Sequence, residues 1–376
     1  MNCAPLPSKV LFPGRHGQAQ PRLVASTSRC KPVARLSRNR AVAADDVATQ
    51  AESVGMTFVP LHGDFGADVQ GVDLKGGISE AQGAVVKDAL DRFRLLRFRG
   101  HDITPDEETQ LLCCLPHDEE ALRKGELESV FKPTLPGHSH IFVQYKDVID
   151  DDYHGLTLRP KPPTPIMKSR PRWHCDCSGR VSPRYTYMHM RVVPERGGNT
   201  LFTSGVKAYE RLTDDQKSIA NKLRARYYTP RLVPKIFGMP GAEELPAKNG
   251  FGYQDAALVE KILGKGLEEG DVIDCEGIPF VVEEEGSGAR SMFIHPNMFH
   301  RFEGMSAEES QAILDKYLAP AVPPERVWSA EWEAGDIIIW KNWQMLHVAP
   351  PWGDYEGLPR LFHQALWDAV PTEFVE

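Results

Sequence analysis

Apolar residues recur along this chain at two spacings, and each spacing predicts a different element. Behind Ser79-x-x-Gln82, the residues Val86, Leu90 and Phe93 return at helical intervals on one face, and the Ser/Gln pair forms a capping box that opens the helix. Thr104-Pro105-Asp106-Glu107 predicts a second helix start: an N-cap threonine, proline at the first helical position and acids in the first turn. Thr213-x-x-Gln216 and Ser306-x-x-Glu309 repeat the box, the latter ahead of Ile313, Leu314 and Leu318.

Elsewhere the period is two. Leu96 and Phe98 alternate with Arg97 and Arg99, as on a half-buried strand. Short runs between Gly- and Pro-rich turns predict further strands at Arg184–Val193, Thr200–Thr203, Phe280–Val282, Met292–His295, Asp336–Trp340 and Leu361–Trp367. Many short strands with sparse helices point to a mainly β sandwich or jelly roll with flanking helices, not a doubly wound sheet. The folded pattern starts near Gly55 and is expected to run to residue 376 as one catalytic-size domain. Two stretches, near 132–170 and 228–290, are rich in Pro, Gly, His and Asp and are expected to be lid insertions, the second with a helix near 255–264.

The composition of the 376 residues, 41% hydrophobic and 26% charged, suits one large globular domain or two small ones. No apolar run approaches the roughly 18 residues that span a bilayer, so no membrane span is expected. The net charge of −8 is unevenly spread. Residues 1–44 hold no acid but eight basic residues, Lys9, Arg15, Arg22, Arg29, Lys31, Arg35, Arg38 and Arg40, with Ser and Ala between them. Such a leader reads as a disordered organelle transit peptide, cut near Ala41–Ala44, with chloroplast as the expected destination and mitochondrion as the alternative. What remains is too acidic for nucleic acid to be the main partner. Seven cysteines form no C-x-x-C pair, and in a reducing stroma or matrix free thiols are expected.

Trp173-His174-Cys175-Asp176 carries the chemistry. On an extended chain His174 and Asp176 share one face and Cys175 and Cys177 the other, so an imidazole and a carboxylate can flank one metal while the thiols face away. The best third ligand is His347, just beyond the strand-like Gly335–Trp340 run. Two His and one carboxylate leave open positions that suit oxygen-activating Fe(II). Taken alone, H-x-D is more often a surface histidine near an aspartate. His295, His300 and His363 read as structural or surface residues, Trp173 and Trp340 as packing around the site, and Asp150-Asp151-Asp152 as a solvated loop.

From about Gly55 to Trp367 the chain resembles the taurine/2,4-dichlorophenoxyacetate (TauD/TfdA-like) dioxygenase family. The matching pieces come in the family's order: Phe58–Leu61 through Gly66–Leu74, Leu95–Arg99 with Ile103-Thr104-Pro105, Trp173–Asp176, Pro194–Phe202, Phe293–Pro296, Gly304–Ser310, Gly335–Trp340 with Asn342 and His347, and Arg360–His363. The resemblance implies a double-stranded β-helix (jelly-roll, clavaminate synthase-like). It also implies Fe(II) on His174, Asp176 and His347, O2 as oxidant, and 2-oxoglutarate as co-substrate with its far carboxylate on Arg360 and Thr200. The implied reaction hydroxylates a small molecule with release of succinate and CO2. In taurine-type members a second arginine four residues on binds the sulfonate; here Gln364 stands there, which argues against taurine, while Arg170 and Arg172 remain candidates for another anion or for a solvated loop. A homo-oligomer stays open, since family members are often dimers or tetramers. The rival readings are a non-catalytic metal- or metabolite-binding relative and, more remotely, a zinc hydrolase, for which no H-E-x-x-H motif is present.

Overall fold

Local chemistry sets the helix starts. In the computed structural model, α1 (Ala44–Ser53), α2 (Glu80–Phe93) and α3 (Pro105–Cys113) precede the central strands. At α3 the box closes reciprocally, Glu107 N donating to Thr104 Oγ1 at 3.3 Å and Thr104 N to Glu107 Oε2 at 2.7 Å. Ser79, Thr213 and Ser306 cap α2, Asp214–Ala220 and Ala307–Tyr317 in the same way. The structure describes residues 44–116, 133–160, 172–176, 181–229, 232, 235–236, 238–245, 256–268, 270–272, 277–284, 287–295, 299–349 and 357–371. The leader up to residue 43 lies outside them, as do Arg170 and Cys177. Helix α1 was not anticipated; it buries Val47 and Ala51 against α2, so the folded body begins ahead of Gly55.

An eight-stranded sheet forms the frame. Its strands are β1 (Thr57–Pro60), β2 (Ala67–Gln70), β3 (Leu95–Phe98), β4 (Thr134–Leu135), β5 (His138–Lys146), β8 (Val181–Val192), β16 (Ile337–Lys341) and β18 (Arg360–Pro371). They run in the order β1-β2-β3-β16-β8-β18-β5-β4. Only the β2–β3 pair is parallel. The hairpin β6 (Asp150–Tyr153) and β7 (Leu156–Leu158) follows β5. A three-stranded sheet, β15-β9-β17, joins β9 (Thr200–Ser204) to β15 (Trp328–Ala330) and β17 (Met345–Val348). A second one, β11-β10-β14, and the pair β12–β13 use β10 (Arg224–Tyr227), β11 (Ile278–Pro279), β12 (Val281–Glu283), β13 (Arg290–Met292) and β14 (Phe299–Phe302).

Strand β16 shows why the core needs no alternation at its centre. Ile337 and Ile339 pack with α1 and α2 on one face, while Ile338 and Trp340 pack with Phe202 and Met345 of the three-stranded sheet on the other. Both faces are apolar, so the strand reads as a continuous apolar run. The two sheets thus share an inner cluster that also takes in Met188, Met190 and Phe362.

Two expectations need correction. The stretch near 132–170 is not simply a lid: β5 lies within it as an integral strand between β18 and β4. Its Gln144 and Lys146 face inward, so the apolar alternation that marks a half-buried strand is missing there. The free-thiol expectation also fails at Cys113, which is disulfide-bonded; Cys114 and Cys175 are free. The helix expected near 255–264 is present at Ala256–Leu263. No helix among the described residues is long and apolar enough to cross a membrane.

Candidate active site

His174 does not lie on a regular strand. It makes an isolated antiparallel bridge to His347 of β17, with His174 N donating to His347 O at 3.0 Å and His347 N to His174 O at 2.9 Å. Residues directly opposite in such a pair carry their side chains on one face. The two rings accordingly lie 4.2 Å apart, centroid to centroid. Asp176 Oδ1 sits 3.7 Å from His174 Nε2 and 3.8 Å from His347 Nε2. Cys175 points away, buried, its thiol toward the Met345 carbonyl at 3.5 Å. The predicted ligand set therefore converges.

The surroundings hold these three side chains in place. His174 Nδ1 meets the Arg172 carbonyl at 2.8 Å, which favours the tautomer with Nδ1 protonated and leaves the Nε2 lone pair for a metal. Asn342 clasps the Asp176 backbone from both ends: Asp176 N donates to Asn342 Oδ1 at 2.7 Å, and Asn342 Nδ2 donates to Asp176 O at 2.7 Å. Thr186 Oγ1 donates to Asp176 Oδ2 at 3.1 Å, which leaves Oδ1 turned to the histidines. Trp340 stands edge-on to His347 at 4.9 Å and Phe202 stacks on it at 6.0 Å, an apolar wall against water. His295 lies 5.4 Å from His174, ring to ring; burial and the neighbouring His174 push it down to about 3, so its ring is neutral.

The donor set fits an Fe(II)-type centre. Two imidazoles and one carboxylate, each offering one ligand atom within 4.8 Å of the others, are the facial arrangement that leaves positions open for other ligands.

Among the described residues a second such group exists, Glu108, His189 and His363, on the other face of the large sheet. It is closed by hydrogen bonds. Glu108 Oε1 accepts from His189 Nδ1 at 2.9 Å and His363 Nδ1 at 2.7 Å, while the far nitrogens meet the His101 carbonyl at 3.0 Å and the Tyr153 hydroxyl at 2.7 Å. All three side chains are buried, and the group joins α3 to β8 and β18.

Arg360 opens β18 on the inner face and is buried, its guanidinium 4.5 Å over the Phe362 ring. Gly198 lies beside it at φ +73°, where a Cβ would collide with Pro194 Cγ at 2.7 Å while only touching Arg360 Cδ at 3.5 Å. Thr200, two residues on, is buried in β9 on the side shared by Phe202 and His347, and its oxygen accepts the Trp332 indole N–H at 3.1 Å. The hydroxyl proton of Thr200 can still be donated. Gln364 shares the inner face with Arg360 and accepts a hydrogen bond from Gln144 Nε2. Thr186 and the role of Asn342 were not read from the sequence. A threonine in a strand and an asparagine in a turn carry no local sign of what they touch.

The family model for "Taurine catabolism dioxygenase TauD, TfdA family" matches residues 57–366. The (S)-phenoxypropionate/alpha-ketoglutarate-dioxygenase of Sphingobium herbicidovorans is 25% identical over 301 residues, covering 80% of this chain and 91% of that protein. The alpha-ketoglutarate-dependent xanthine dioxygenase xan1 of Schizosaccharomyces pombe is also 25% identical, covering 80% and 83%. Among solved structures, a taurine dioxygenase from Burkholderia xenovorans superposes with a TM-score of 0.59 at 21% identity, covering 84% of this chain and 91% of that one. AAD-2 in complex with Mn(II) and N-oxalylglycine gives 0.60 at 20% identity, with 84% and 97% covered. At these identities the structural likeness speaks for the fold alone.

Proposed function

This chain belongs to the taurine catabolism dioxygenase TauD, TfdA family, and from that premise we infer that it is an Fe(II)- and 2-oxoglutarate-dependent dioxygenase hydroxylating a small molecule, with release of succinate and CO2. The observation that carries this reading is the convergence of His174, Asp176 and His347. Iron with 2-oxoglutarate and O2 would supply the oxidising power that no side chain has.

The chain's own residues do the positioning. His174 and His347 would offer neutral Nε2 atoms and Asp176 an ionised carboxylate, with Thr186 and Asn342 fixing its direction. Arg360 would grip the far carboxylate of 2-oxoglutarate through two parallel charge-assisted bonds, and the Thr200 hydroxyl would add a third donor. Phe202 and Trp340 keep bulk water from the ligand side of His347. Gln364, paired with Gln144, presents amides where a sulfonate would want a cation, so taurine is not the substrate proposed. We read the two sheets with their shared inner cluster as a double-stranded β-helix, and the chain from α1 onward as one catalytic domain behind a chloroplast-type leader that ends near residue 43.

The test is an anaerobic titration of the leader-free apoprotein with Fe(II) and 2-oxoglutarate, following the weak visible charge-transfer band of the chelate. The wild type should show the band, His174→Ala should lose it, and Arg360→Ala should need about 10- to 100-fold more 2-oxoglutarate, as expected for a lost charge-assisted bond. A folded wild type without a band would move the protein to the reading of a non-catalytic metabolite binder.

A further inference from the structure

A third histidine is brought to the metal-site residues by the backbone. Beyond β13 the chain continues through Phe293 to His295, and the Ile294 carbonyl accepts a hydrogen bond from Cys175 N at 2.9 Å. Cys175 and Ile294 are both buried in one apolar cluster. Side chains alternate along extended backbone, so their neighbours His174 and His295 share the other side. The two rings lie 5.4 Å apart, and His174, Asp176 and His347 all act electrostatically on His295. Its Nδ1 is shut off from solvent and has no hydrogen-bond partner among the described residues.

A buried polar atom left without a partner costs about 1–3 kcal/mol, and in a native protein it calls for an explanation. The neighbouring groups do not supply one. His174 Nδ1 is turned to the Arg172 carbonyl, and Asp176 Oδ2 takes the Thr186 hydroxyl. The flank of His347 is covered by Phe202 and Trp340. A ligand bound at the metal would supply one. The keto-acid end of 2-oxoglutarate chelates there, and its carboxylate keeps an outer oxygen that needs a donor. An imidazole carries at least one N–H in either charge state, and a bond from it to a carboxylate is charge-assisted.

We propose that His295 is a co-substrate-binding residue, the hydrogen-bond donor to the metal-chelating carboxylate of 2-oxoglutarate. The proposal rests on the reading of this site as 2-oxoglutarate-dependent. The two ends of the keto acid are then recognised by different parts of the chain. Arg360 and Thr200 take the far carboxylate from β18 and β9, and His295 takes the near one from the segment after β13. From the sequence His295 reads as a structural or surface histidine; the Cys175–Ile294 bond is what carries it to the site.

Two keto acids and a metal titration separate this role from a structural one. The Fe(II)-loaded full chain is titrated anaerobically with 2-oxoglutarate and, separately, with 2-oxobutyrate, which keeps the chelating end and lacks the far carboxylate. His295→Leu should weaken both acids alike, by about 10- to 100-fold, with Fe(II) affinity in the absence of keto acid within about twofold of wild type. The charge-transfer band should also move to shorter wavelength, because a hydrogen bond to the chelate lowers the energy of its acceptor orbital. His295→Asn places an amide N–H near Nδ1 and His295→Gln places one near Nε2, so one of the two should restore most of the affinity and the band position. Weakening of 2-oxoglutarate alone would overturn the proposal by assigning His295 to the far end. Loss of Fe(II) affinity without keto acid in all three variants would overturn it in favour of packing against His174. Unchanged titrations in His295→Leu would overturn it outright, with the wild-type band still upholding the function. A wild type that chelates neither acid would remove the functional reading and this proposal with it.

Discussion

The side chains around Asp176 show how much of the proposed metal site lies beyond the three residues that would ligate it. The Thr186 hydroxyl at 3.1 Å from Oδ2 and the two Asn342 bonds at 2.7 Å decide which carboxylate oxygen faces the histidines. Outer partners of this kind are typically worth about 10- to 100-fold in metal affinity. Thr186→Val keeps the shape and deletes the donor, so it should weaken Fe(II) binding by that order without changing the far-UV circular dichroism. Fe(II) competition against a coloured chelator measures it, and unchanged affinity would mean that Asp176 is held by its backbone contacts alone. The triplet His174–Asp176 and the histidine at 347 were legible because metal chemistry restricts residue type. Thr186 was not, since its role comes from a strand that meets Asp176 only in space.

At the scale of elements, Glu108 ties α3 to the outer face of β8 and β18. His189 and His363 stand opposite each other in the β8–β18 register and both donate to the same carboxylate oxygen. Burial alone would raise the Glu108 carboxyl, but the hydrogen bonds from His189 and His363 outweigh it and hold it at about 2, against an ordinary 4.5. His363 is held below its own ordinary value, burial outweighing the carboxylate, so it acts as a neutral donor to an ionised Glu108. A carboxyl whose pKa falls on folding adds stability that is complete above its unfolded value and lost as pH drops through the folded one. Part of the protein's stability should therefore disappear between about pH 4.5 and pH 2. Glu108→Gln should lose about 3–5 kcal/mol at neutral pH, the usual result of breaking a buried charged group's partnership, and should flatten that acid limb. Urea unfolding of both proteins across this range checks the two effects together. Helix starts were readable at this scale, because a capping box spans four residues; Thr104 and Glu107 bond as their spacing foretells. Strand β5 was not, since Gln144 and Lys146 face the site and break the alternation.

For the whole molecule, the proposed ligands are spread over elements far apart in the chain: His347 from the three-stranded sheet, His174 from the segment bridged to it, Arg360 from the start of β18 inside the large sheet. A ligand that touches all three stabilises the native state by mass action, about 2.7 kcal/mol at a hundredfold excess over its Kd. Mn(II) with N-oxalylglycine should thus raise the Tm of the wild type by several degrees, given about 2–4 °C per kcal/mol for domains of 150–250 residues. His174→Ala should show little of that rise in the same scan. A full shift in His174→Ala would mean that the pair binds elsewhere. Helix α1 gives a second check. Deleting residues 1–54 uncovers the surface that Val47 and Ala51 bury and should lower stability by about 1.5–3 kcal/mol for the valine alone, whereas deleting residues 1–43 spares that contact.

The sequence by itself determined whatever is encoded locally or by residue type. That includes the capped helices, the mainly β character, the His174–Asp176 pair with His347, and the ordered pieces that resemble one family. These are legible because a cap needs neighbours three residues away, and because few side chains bind iron. The tertiary structure alone decided the His174–His347 bridge, the Thr186 and Asn342 clamps on Asp176, the buried Glu108 cluster, the Cys113 disulfide and the placing of Lys146 opposite Arg360. Each of these depends on the register between segments distant in sequence. Register follows from packing and from which face is buried, and it leaves no mark on the residues either side of the contact.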